Sequence, residues 1–322
     1  MKRIFDRIMI ALAVSLSLCA HALAMPDALV PVGRTVGIHL RGELTVAEIE
    51  EDSAASALRV GDRILGVNGV RTQSVEELRS LVGSADPVEL SVQRGERALQ
   101  LSVHPRHGPS GAYLGIRVRD GITGLGTVTF YDPETGRFGA LGHGVNDPKT
   151  GRQITAVGGG VMTCRVAKVA PGRKGAPGEL QGTFSPAQSI GKIEKNCAAG
   201  IFGVLTPEQT VGEALPVASL AQVRPGPAKI LSNVRDDEVR SFSVNVLKID
   251  PTDRAGRNYL LQICDEELLA CTGGIVQGMS GSPIVQDGRL VGAVTHVLVD
   301  DPTIGYGISI GTMLEAAYAA GT

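Results

Sequence analysis

In Gly278-Met279-Ser280-Gly281-Ser282-Pro283 a serine stands between two glycines, just ahead of a short apolar run. A serine so placed suits a nucleophile on a tight turn, because glycine tolerates strained dihedrals and lets another backbone approach. The N–H groups of Gly278 and Ser280 then converge on one spot, as an oxyanion requires. The second reactive residue is His143, held in Gly142-His143-Gly144. Glycine on both sides leaves room for a substrate backbone, and an imidazole is the usual base for a serine hydroxyl. Ser282 is the weaker nucleophile candidate, since Pro283 follows it and the flanking glycine pair is missing. An acid to orient the imidazole can be drawn from Asp147, Asp236, Asp237, Asp250 or Asp265, and residue types alone do not choose among them. His296 and Asp300, beyond the serine, read as pocket-lining or structural. A G-x-S-G tetrapeptide by itself is more often a plain turn, so the surroundings must decide.

Those surroundings are strands and turns. The 322 residues include 42 glycines and 17 prolines, no Trp, and only 3 % aromatics against 43 % hydrophobic residues. This mix suits many short strands, and the length suits two domains. A formal net charge of -2 gives no nucleic-acid footprint. After the serine, Pro283–Val285 and Leu290–Val294 read as strands joined by a Gln286-Asp287-Gly288 hairpin turn. Before the histidine, Thr127–Tyr131 and Phe138–Leu141 flank the turn Asp132-Pro133-Glu134-Thr135-Gly136. Asp265 stands near the start of a short helix and can equally be its cap. Gly121–Gly126 and Gly158-Gly159-Gly160 lack the Lys-Ser/Thr of a phosphate loop and read as turns or bulges.

Residues 1–24 read as a signal peptide or N-terminal anchor. Lys2, Arg3 and Arg7 precede an apolar run from Ile8 to Cys19, and Ala22-Leu23-Ala24 fits a cleavage site. The expectation is a protein exported across the cytoplasmic membrane. Cys164, Cys197, Cys264 and Cys271 remain, with three possible full pairings or none. None forms a C-x-x-C pair, so no metal and no cofactor is expected.

Between the leader and His107 lies a first small domain. Ser74 caps an amphipathic helix to Val82, with Glu77 completing a capping box. The pattern A-x-x-A-L-x-V-G-D-x-I-L-x-V-N-G (residues 54–69) resembles a circularly permuted PDZ domain. That resemblance implies capture of a peptide or C-terminal tail by strand addition. By the same resemblance Gly37-Ile38-His39 is the carboxylate-binding loop. The resulting division is 25–108 for the PDZ domain with its leader and linker, and 109–322 for the second domain.

Phe130–Gly144 (F-Y-D-P-x-T-G-x-F-G-A-L-G-H-G), Gly273–Ile284 (G-G-I-V-Q-G-M-S-G-S-P-I) and Val291–Gly307, together with the PDZ pattern, resemble the stage IV sporulation protein B peptidases, family S55. The resemblance implies a mainly β protein: a small α+β PDZ domain followed by a chymotrypsin-like β-barrel peptidase domain. It implies Ser280 as nucleophile, His143 as base, Asp265 as the orienting acid, and Gly278 and Ser280 amides as oxyanion hole. It further implies a serine endopeptidase that cleaves itself and a partner protein at a membrane surface, between forespore and mother-cell membranes, in sporulation signalling. The contrasting reading is an inactive, peptidase-like PDZ scaffold.

Overall fold

The computed structural model describes residues 25–319 apart from 52, 54, 110, 149–150, 157, 207–211 and 254. The signal-peptide reading of residues 1–24 lies outside the described residues.

Strand β1 (Ala28–Pro31) leads into the long β2 (Thr35–Ile49). Next come β3 (Arg63–Val67), β4 (Val70–Arg71), α1 (Val75–Val82), β5 (Val88–Arg94), β6 (Arg97–Val103) and the small hairpin of β7 (Arg106–Gly108) and β8 (Gly111–Tyr113). The chain returns along β2 as β9 (Ile116–Tyr131), followed by β10 (Arg137–Ala140), β11 (Gly158–Ala170), β12 (Glu179–Cys197) and β13 (Gly200–Leu205). Pairing runs β9-β10-β13-β12-β11-β2 and back to β9, so these six strands close on themselves. β14 (Leu215–Pro216) pairs with β1 at the rim.

A second closed barrel follows, of β15 (Gly226–Ser232), β16 (Arg240–Ile249), β17 (Tyr259–Ile263), β18 (Pro283–Gln286), β19 (Arg289–Leu298) and β20 (Asp301–Ser309). Helix α2 (Glu266–Thr272) sits between β17 and β18, and α3 (Ile310–Tyr318) ends the fold. Around each barrel the strands run first, second, third, sixth, fifth, fourth. His143 and Ser280 both fall in the connection from third to fourth strand, one in each barrel. The chymotrypsin-like β fold expected from the sequence is therefore present.

The division at residue 108 needs correction. The PDZ domain interrupts the first hairpin of the first barrel rather than preceding it. Thr35–Arg41 of β2 pairs with Thr127–Gly121 of β9 inside the barrel, and Thr45–Ile49 pairs with Arg119–Ile116 inside the PDZ domain. Val36, Ile38 and Leu40 are buried in the barrel core, whereas Leu44 and Val46 are buried in the PDZ core. Two strands thus run unbroken through both units. The glycine-rich stretch Gly121–Gly126, read from sequence as a turn, is the middle of β9. A Cβ at Gly126 would lie 2.1 Å from Leu141 Cδ2, so glycine here serves close packing. Gly158–Gly160 likewise opens β11 instead of forming a turn.

Helix α1 forms as its sequence dictates: the Ser74 side chain accepts the Glu77 N–H, and Leu78 and Val82 face the PDZ core. Helix α3 packs Ile310, Met313, Leu314 and Ala317 on Phe130 and Phe202 of the first barrel and Leu290 and Ala293 of the second. All four described cysteines are free thiols.

Candidate active site

The turn at His143 is strained locally. Leu141 has φ +69°, which a leucine rarely adopts, and the Gly142 N–H donates back to the Ala140 carbonyl at 2.9 Å. This tight turn at the end of β10 delivers His143 to a cleft of about 560 Å³ that it shares with Ser280, Thr295 and His296. The His143 Nδ1 lies 3.0 Å from the Gly144 carbonyl. A proton on Nδ1 donating to that carbonyl leaves Nε2 unprotonated, the state of a general base. Burial lowers the His143 pKa from 6.5, against the Gly144 hydrogen bond, which raises it.

The serine loop hangs from both barrels. Gly278 and Gly281 both have φ +97°. A Cβ at Gly281 would meet the Thr127 carbonyl at 2.0 Å, so no other residue fits there. Thr127 donates its N–H to the Ser280 carbonyl (2.9 Å) and its Oγ1 hydrogen to the Gly278 carbonyl (2.7 Å), and Thr129 Oγ1 donates to Gly281 (2.8 Å). The N–H groups of Gln277, Met279, Gly281 and Ser282 are all bonded to backbone carbonyls. Among the described residues no acceptor is bonded to the N–H of Gly278 or of Ser280. Two free amides flank the hydroxyl, the arrangement an oxyanion hole needs. The Ser280 hydroxyl itself donates to the Thr295 carbonyl at 2.7 Å. Ser282 is fully buried and its Oγ lies in the interior, which removes it as a nucleophile.

Asp265 is not beside His143. It caps α2: Oδ1 accepts the Leu268 N–H at 3.0 Å and Oδ2 accepts the Ser243 N–H at 3.1 Å. Both oxygens are held by backbone amides away from the cleft, so the orienting role is corrected to a helix cap. The rivals fare no better. Asp147 pairs with Arg119 at 2.9 Å, Asp250 accepts from Thr252, and Asp236 occupies a left-handed turn. Among the described residues no Asp or Glu lines the cleft. The ring that does face His143 is His296, with centroids 4.8 Å apart and a tilt of 37°. Its pKa is pushed down to about 4 by burial, then by His143 and Arg257. As a residue His296 is nevertheless exposed to solvent. From the sequence His296 reads as pocket-lining or structural, and the structure places it in the cleft facing His143.

Gly37-Ile38-His39 is not a carboxylate-binding loop. It lies in the middle of β2, paired with β9 on one side and β11 on the other, and offers no free edge. The PDZ groove, about 910 Å³, runs instead between Val75, Leu78 and Val82 of α1 and the segment Tyr113–Val118. Ser53 braces this segment by donating its Oγ hydrogen to the Leu114 carbonyl at 2.7 Å, and Gly115 turns the chain with φ +69°. The signal was Tyr113-Leu114-Gly115-Ile116, an apolar run broken by glycine just before a strand.

Among the described residues no group of three or more His, Cys, Asp or Glu is placed to hold a metal ion, and no helix is long and apolar enough to cross a membrane. The chain is similar, at 31 % identity over 97 residues, to the Agrobacterium fabrum protein Atu1380, which bears the name of a zinc metalloprotease. That match spans 29 % of this chain and 25 % of the length of that relative. Among solved structures it is similar to the active form of the Rv3671c protease of M. tuberculosis, with 16 % identity, TM-score 0.33, and coverage of 64 % of this chain and 76 % of that one. The inactive form of the Rv3671c protease gives 13 % identity, TM-score 0.33, and coverage of 62 % and 85 %. Residues 45–94 match the PDZ domain, and residues 111–314, well over half of the chain, match the SpoIVB peptidase S55. The chain belongs to the SpoIVB peptidase S55 family.

Proposed function

We propose that the protein is a serine endopeptidase whose nucleophile is Ser280 and whose general base is His143. The observation that carries this reading is one cleft receiving both residues from equivalent connections of two barrels, with two unbonded amides beside the hydroxyl. Ser280 attacks the scissile carbonyl and gives its proton to His143 Nε2. The Gly278 and Ser280 N–H groups hold the oxyanion, and His143 returns the proton to the leaving amine. No Lys, Arg, Asp or Glu lines the cleft among the described residues, which favours small or apolar substrate side chains. By family kinship we extend the proposal to export, self-cleavage and clipping of a partner protein at a membrane surface in sporulation signalling, with a peptide in the PDZ groove as regulator.

A second reading, an inactive PDZ scaffold, is favoured by two features: the Ser280 hydroxyl is engaged by the Thr295 carbonyl, and among the described residues no carboxylate lines the cleft beside His143. The deciding experiment is incubation of the purified protein beside Ser280→Ala and His143→Ala, with fragments followed by mass spectrometry. Fragments that appear in the parent and vanish in both variants support the peptidase. Identical patterns in all three, together with no cleavage of an added unfolded protein, favour the scaffold.

A further inference from the structure

His143 carries out proton transfer only if its ring is held in one plane, and the residue expected to hold it, Asp265, is occupied elsewhere. Among the described residues, two contacts to its ring stand out. One is the Gly144 carbonyl at Nδ1, from the adjacent residue. The other is the ring of His296, packed at 4.8 Å. Strand β19 supplies that ring through an irregularity: its register with β20 shifts between Val294 and Val297. The bulged pair Thr295-His296 serves both reactive groups at once, since the Thr295 carbonyl holds the Ser280 hydroxyl while His296 packs on His143. Thr295 is itself tied to the β16–β17 connection by its Oγ1, which donates to Gly256 at 3.4 Å.

We propose that His296 is the positioning residue of His143, taking by ring packing the place that a carboxylate fills in a Ser-His-Asp triad. Centroids at this distance with a tilted interplanar angle are in the packing range of aromatic pairs and are not joined by a hydrogen bond. His296 therefore passes no proton: the Ser280 proton goes to His143 and on to the leaving amine, and His296 is unchanged throughout. A neutral ring suits this place, because it does not oppose the charge that His143 gains. Burial, His143 and Arg257 together keep His296 neutral well below neutral pH. The inference rests on the serine-peptidase reading.

The test is the rate at which a fluorophosphonate labels Ser280 in the full chain, for the parent, His296→Ala and His296→Phe. The titration midpoint of His143 is followed by NMR in each. Misplacing a reacting group by about 1 Å costs on the order of 10²-fold, so His296→Ala is expected to label about 10²-fold more slowly while still melting cooperatively. Its His143 midpoint should rise as the packing ring is lost. His296→Phe should recover most of the rate and restore the midpoint, which a role confined to overall stability would not do. Parental labelling in His296→Ala overturns the proposal, and so does a His296→Phe as slow as His296→Ala. A parent that the probe never labels removes the peptidase reading itself, and this role with it.

Discussion

Thr127, on the first barrel, donates its backbone N–H to the carbonyl of Ser280, on the second, at 2.9 Å. Its hydroxyl, fully buried, reaches the Gly278 carbonyl two residues before. The serine loop therefore takes its shape from the opposite barrel, and the two barrels must dock for the free amides of Gly278 and Ser280 to converge. Thr127→Val leaves the Gly278 carbonyl buried without a donor, a loss of about 1–3 kcal/mol. The expected outcome is a lower melting temperature and a lower kcat with KM little changed, measured by thermal unfolding and steady-state peptide hydrolysis.

The same β9 connects the PDZ groove to this loop. Its first residues, Ile116–Val118, wall the PDZ groove; Ile122, Gly124 and Leu125 line the catalytic cleft; Thr127 and Thr129 hold the serine loop. The PDZ domain is nonetheless an insertion. Joining Gly42 to Asp120 by a short turn preserves the Arg41–Gly121 pair and is expected to leave two folded barrels. A fragment starting at residue 109 lacks β1 and β2, with buried Val36, Ile38 and Leu40, and is expected not to fold. Circular dichroism and heteronuclear NMR of the two proteins separate these outcomes.

Asp132, in the Phe-Tyr-Asp-Pro turn, is a structural anchor. It is 2 % exposed and accepts from Thr135 Oγ1 at 2.6 Å, from the Glu134 N–H at 2.9 Å, and from the Tyr318 hydroxyl of α3. Burial pushes its carboxyl up, and the hydrogen bonds from Thr135, Tyr318 and the backbone more than offset this, so it lies below 3.8. A depressed carboxylate contributes stability above its unfolded value that is lost as pH falls through the folded one. Asp132→Ala is expected to lower stability by about 1–3 kcal/mol and to flatten acid unfolding below pH 3.8. Catalysis at temperatures where the variant is folded should be retained. Denaturant titrations across that range check both.

His143 and His296 act in the same direction at higher pH. Both are lowered from 6.5, His296 to about 4. The unfolded chain then binds protons that the folded chain resists, so stability is full above pH 6.5 and declines toward pH 4. His296→Phe removes one such group, and its melting temperature should fall less than the parent's over that interval. Hydrolysis should persist below pH 6.5 before His143 protonates, as the acid limb of a pH–rate profile would show.

What the sequence made legible was local. The serine between glycines, the histidine between glycines, the Asp287-Gly288 hairpin (φ +50° and +71°) and the Ser74 cap are each written within a few residues, and each is present. Non-local pairing was not legible. Nothing within β2 or β9 marks the point where PDZ becomes barrel, because both units need the same extended, alternating strand. Close packing of glycine in β9 imitates a turn signal. Asp265 shows the limit most sharply: an aspartate before a short helix has the same signature whether it caps or catalyses, and only the folded chain, with both oxygens on amides, decides.

The central claim is that Ser280 is an activated nucleophile. Intact-mass analysis after fluorophosphonate treatment tests it most directly, on the parent, Ser280→Ala, Ser282→Ala and His143→Ala. A single adduct on Ser280 in the parent and in Ser282→Ala, absent from Ser280→Ala and strongly slowed in His143→Ala, is the expected result. An adduct that persists in Ser280→Ala, or a parent that stays unmodified while a known serine peptidase in the same tube is labelled, would contradict the account.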